Sequence, residues 1–136
     1  MSRLYISLLI IPMISILGCQ DFTPKSKTPK VEFVNKTAFE KKAKEIVAFE
    51  DLGISYLGIG HKVDSFAYKP NFILRKPEID YDDSLQVQGV LDKLEILIDA
   101  EVKNLSDFQG VQITFEKQTE VSPDFIKEKN LIYNLY

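Results

Sequence analysis

Tryptophan is missing from these 136 residues, and cysteine and histidine occur once each. A single cysteine cannot form an intramolecular disulfide, so any stability must come from an apolar core. The lone histidine, His61, has no cysteine partner and no carboxylate at a diagnostic spacing, which leaves little from which to build a zinc site. Without tryptophan, a sugar-stacking platform lacks its best ring. Positive charge is not in excess either: 17 basic side chains stand against 20 acidic ones, a net charge of −3. Nucleic-acid binding, whose footprint is a basic domain, is therefore not expected. No apolar run reaches the roughly 20 residues that a bilayer-spanning helix needs.

The longest such run is nevertheless informative. Met1-Ser2-Arg3 is followed by Leu4 to Leu17, apolar except for Ser7, Pro12 and Ser15, and then by Gly18-Cys19. A short basic start, an apolar stretch of this length and a small residue before the cut describe an export signal. Ile16-Leu17-Gly18-Cys19 resembles the lipobox of bacterial lipoproteins, with isoleucine where leucine is commonest. The resemblance covers residues 1–19 and implies removal of residues 1–18, lipidation of Cys19 and an extracytoplasmic position on a cell membrane or outer membrane. Gln20 after the cysteine is compatible with outer-membrane delivery. Two or three acyl chains hold a protein firmly where one does not. A lipidated Cys19 is also lost as a thiol for catalysis or metal.

Residues 19–36 read as the lipidated cysteine and a flexible tether, since Pro24 and Pro29 stand among Ser, Thr and Lys. Residues 20–44 carry seven lysines against Asp21, Glu32 and Glu40, so the basic part of the chain lies next to the expected anchor. There it could gain from an anionic lipid surface, at about 1 kcal/mol per lysine. Residues 77–102 carry eight acids against Lys93. Residues 37–136 are enough for one domain and too few for two.

Within that domain Thr37 and Glu40 fit a capping box. Phe39, Ala43, Ile46 and Val47 form one stripe, predicting a helix over 37–50. Strands are expected over 54–60 and 66–76, pairing antiparallel, with a bulge near Pro70. Asp83 and Gln86 offer a second cap. Behind them Val87, Val90, Leu91, Leu94, Leu97, Ile98, Val102 and Leu105 recur at spacings of three and four, the strongest helical pattern in the chain. Gly89 inside it suggests close packing on the sheet. Val111, Ile113 and Phe115 alternate with Gln112, Thr114 and Glu116 as in a half-buried strand. Ser122-Pro123-Asp124 looks like a helix start leading to about Lys129, and LIYNLY closes the chain as a strand or a docked apolar tail. The expected fold is α+β: a small two-layer sandwich, its mostly antiparallel three-stranded sheet and two main helices in the order α-β-β-α-β-α.

Motifs for chemistry fall short in spacing. Gly53-Ile54-Ser55-Tyr56-Leu57-Gly58 places its second glycine one residue too late for a nucleophile elbow. Gly58-Ile59-Gly60-His61-Lys62 lacks the Gly-Lys-Ser/Thr order of a phosphate loop. In the acidic run 78–83, counting from Glu78 puts Asp83 where a calcium loop needs glycine and Gly89 where it needs glutamate. No catalytic residue, metal site or cofactor is assigned. The expected function is that of a non-enzymatic lipoprotein meeting another envelope protein. The alternative is binding of a small ligand or glycan on a face built from Tyr56, His61, Tyr68 and Arg75. An enzyme would require the carboxylates of 78–83 to share a cleft.

Overall fold

A computed structural model describes residues 29–59 and 68–136; Cys19, the signal motif and His61 lie outside them, and the Gly58–Lys62 stretch lies partly outside. Among the described residues, the order is helix α1 (Lys36–Ile46), strands β1 (Asp51–Gly58) and β2 (Tyr68–Arg75), helix α2 (Ser84–Glu101), and strands β3 (Gln112–Ser122) and β4 (Phe125–Asn134). One sheet runs β1-β2-β3-β4. β1 pairs antiparallel with β2, and β3 antiparallel with β4, while β2 and β3 are parallel and joined through α2. The α+β class is as expected, but the sheet has four strands rather than three.

The fourth strand replaces the short helix expected after Ser122. Ser-Pro-Asp suits a helix N-terminus and also a tight turn with proline at its second position. Here the turn wins, because residues 125–134 find partners along β3 from Gln112 to Ser122. A register shift between Glu120 and Ser122 marks a bulge near that turn. None occurs at Pro70, which sits in continuous register opposite Tyr56.

The helix caps show what local chemistry can decide. Asp83 caps α2 as expected, its carboxylate accepting from the amides of Leu85 and Gln86. Gln86 instead turns its side-chain oxygen to the Asp80 amide. The cap of α1 lies two residues earlier than expected: Asn35, not Thr37, accepts from the Ala38 amide at 3.0 Å.

Alternation along the strands sends Phe72, Leu74, Ile113 and Phe115 to one face, where they meet Phe39 and Ala43 of α1 and Val87, Leu91, Leu94 and Ile98 of α2. Val111, Ile113 and Phe115 are completely buried, as their spacing predicts. Phe39 lies between Phe33 and Phe72, with ring centroids 4.9 and 5.8 Å away. Phe33 belongs to the stretch expected as tether, yet residues 30–35 are docked. The Glu32 amide donates to Asn104 Oδ1, Asn104 Nδ2 donates to the Lys30 carbonyl, and the Val34 amide donates to the Glu101 carbonyl. Lys42 of α1 forms an ion pair with the buried Glu101, tying the two helices together.

Gly89 corrects another expectation. A Cβ added there would meet nothing within 4 Å, so no close approach to the sheet demands glycine. Gly89→Ala should therefore stabilise the domain by about 1 kcal/mol through helix propensity alone. A raised urea midpoint with an unchanged m-value is the expected result; a lowered midpoint would mean that the position has another role.

Candidate functional site

Of the residues expected to make a binding face, Tyr56 and Tyr68 share one side of the sheet, Arg75 lies apart from them, and His61 is outside the described residues. Tyr56 belongs to the helix-covered side of β1, its ring stacked on Phe108 at 6.2 Å and its hydroxyl accepting from the Val31 amide at 2.8 Å. That hydroxyl fastens the docked N-terminal segment. Tyr68 opens β2 on the same side, opposite Gly58. Arg75 ends the same strand seven residues later, roughly 23 Å away at strand rise. Seven is odd, so Arg75 points to the other side of the sheet. Its guanidinium lies across Gly53, where a Cβ would come within 3.1 Å of Nη2. There it pairs with Asp51, and its Nε lies 3.6 Å from Glu116. Strand parity alone could have separated Tyr68 from Arg75.

Nor do the carboxylates of 78–83 share a cleft. Glu78, Asp80, Asp82 and Asp83 are all exposed. Asp80 accepts from the Asp82 amide and Asp83 caps α2, so two of the four hold backbone turns. Among the described residues no group of three His, Cys, Asp or Glu side chains is placed to hold a metal ion.

The sheet face away from the helices carries an arrangement that the sequence did not reveal. Pairing across all four strands aligns Ser55, Asn71, Gln112 and Asn134 in one row. The Thr114 hydroxyl donates to Asn71 Oδ1 at 2.9 Å, and both side chains are buried. Gln112 Nε2 and Lys69 Nζ both donate to Asn134 Oδ1, at 3.3 and 3.2 Å. This is a strip of amides and hydroxyls, buried at Asn71 and Thr114 and exposed at Asn134, and it lacks a nucleophile–base pair. Four residues separated by up to 79 positions form it, and only register brings them together.

A second feature is the β3–β4 ribbon. β2 ends opposite Glu116, so among the described residues the pairs from Lys117↔Lys129 onward have no third strand beside them. The ribbon thus projects from the sheet. Near its tip Val121, Phe125 and Ile126 are 60, 58 and 58% exposed. At its root, Lys117 and Lys129 lie over the ring of Tyr81, with Nζ 5.2 and 5.6 Å from the centroid. The Tyr81 hydroxyl is buried, with no hydrogen-bond partner among the described residues. Burial, helped by Tyr133 and Glu116, pushes that phenol up to about 12, so it stays protonated through the neutral range. Tyr136, whose hydroxyl donates to Asp99, is likewise raised by burial and by that carboxylate.

No family model matches the chain, and no curated protein or solved structure does either. No helix among the described residues is long and apolar enough to cross a membrane.

Proposed function

We propose that this chain is a lipid-anchored lipoprotein of the cell envelope, a non-enzymatic module that meets another envelope protein through the projecting β3–β4 ribbon. The observation that carries the interaction half is the exposure of Val121, Phe125 and Ile126 together near the ribbon tip. Fully burying a side chain of this kind gains about 1.5–3 kcal/mol, so a partner covering three of them has a substantial driving force. The anchoring half rests on the run from Leu4 to Cys19.

The distance between the docked segment and the ribbon tip supports this reading. The docked segment 30–35 enters near Tyr56 and Phe108, at the end of the sheet where β3 begins. The ribbon tip lies about ten residues further along β3, roughly 30 Å away.

Two measurements test this reading. Cys19→Ala should move the protein from the membrane fraction to the soluble fraction or leave an uncleaved precursor, and the native protein should show the mass of an acylated Cys19. A bare thiol with residues 1–18 attached would refute the anchor. A photo-crosslinking residue in place of Phe125 should trap one defined envelope protein in cells, whereas the same residue at exposed Leu85 should not. Binding of a small polyhydroxylated ligand remains a second reading, favoured by the Ser55-Asn71-Gln112-Asn134 row rather than by the tyrosines and Arg75.

A further inference from the structure

We propose that the ribbon takes an extended acidic segment of the partner as an added strand along β4. This deepens the interaction-module reading and rests on it. β4 is ten residues long and, among the described residues, an outer strand of the sheet with no strand beyond it. An outer strand presents alternate backbone N–H and C=O groups to whatever lies alongside, a template for strand addition.

The side chains define the chemistry of the incoming strand. Alternation places Lys127 and Lys129 on one face of β4, with Lys117 directly across from Lys129 on β3. The opposite face carries Ile126 and Ile132, each 58% exposed, with Glu128 and Asn130 between them. A strand laid beside β4 puts its own alternate side chains next to these, so acids suit one face and apolar residues the other. The carboxylate already near Lys129 competes weakly: Asp82 is 3.9 Å away with a side chain 94% exposed. The same lysines oppose pairing with a second β4 wherever they would face each other.

Insertion into an anionic membrane fits less well. Asp124 lies in the turn that would enter deepest, and the tip points away from the end where the tether joins. Charge complementarity with an acidic strand meets neither obstacle.

The test uses the full-length protein in detergent micelles and a ten-residue peptide alternating valine and glutamate, with a valine–lysine peptide as control. The glutamate peptide should bind, with amide shifts concentrated in residues 125–134. Lys127→Glu combined with Lys129→Glu should weaken binding tenfold or more, and added salt should weaken it in the wild type. These lysines are exposed, and an unchanged circular dichroism spectrum checks that the variant remains folded. Absence of binding, equal binding of both peptides, or an unaltered affinity in the double variant overturns the proposal. So does loss of sedimentation with phosphatidylglycerol–phosphatidylcholine vesicles when the two lysines are reversed in a Cys19→Ala background without any peptide binding, which assigns the lysines to lipid. If the peptide fails while the crosslink at Phe125 still forms, strand addition is wrong and the interaction module stands; if the crosslink fails as well, both fall.

Discussion

Phe39→Ala should lower the stability of the domain by about 3–5 kcal/mol, the range for removing a buried phenylalanine. That is a large share of the roughly 5–15 kcal/mol by which native domains are stable. Phe39 is 2% exposed and touches three parts of the molecule at once: the docked segment through Phe33, the sheet through Phe72, and its own helix. Truncation removes ring contacts on both sides, and neighbours held by three different elements cannot all collapse into the space. Urea titration followed by circular dichroism should show a large fall in midpoint. A loss under about 1 kcal/mol would mean that α1 is not packed on Phe72 in solution. Protection of the Val34 amide, bonded to the Glu101 carbonyl, should fall in the same variant, because Phe33 loses its partner.

Gly110→Ala should have the next largest effect, about 2–4 kcal/mol, from two separable causes. Its φ of +137° lies where residues with a Cβ are strained. An added Cβ would also fall 2.0 Å from the Tyr136 carbonyl oxygen, so the chain near Tyr136 must shift. That shift endangers the hydrogen bond from the Leu135 amide to the Val111 carbonyl and the one from the Tyr136 hydroxyl to Asp99. Removing Tyr136 in the Gly110→Ala background should recover the part due to the clash and leave the part due to φ. Full recovery would show that backbone strain contributes nothing; no recovery would show that the clash is relieved without cost.

The two variants probe different kinds of information. Phe39 belongs to a stripe visible from spacing, and its burial follows from the periodicity of a helix. Gly110 carries no such mark. It stands in an ordinary Gln-Gly-Val stretch, and its constraint comes from the last residue of the chain, which reaches it only after β4 has paired along β3. The candidate site divides in the same way. Tyr56, Tyr68 and Arg75 were chosen for residue type, and the pleat separates them onto two sides of the sheet. The amide row involves unremarkable residue types, and hydrogen-bonded register across three strand pairs assembles it.

Sequence alone determined the elements whose signals are local: the Asp83 cap, the α2 stripe from Val87 to Ile98, and the alternation of Val111, Ile113 and Phe115. Each depends on a residue and neighbours within one or two turns, where backbone geometry is nearly independent of the rest of the fold. The tertiary structure alone decided that Ser122-Pro123-Asp124 turns a ribbon instead of starting a helix, and that residues 30–35 dock rather than hang free. In both places the local preferences are balanced or weak. Partners distant in sequence supply the hydrogen bonds and buried surface that settle the conformation.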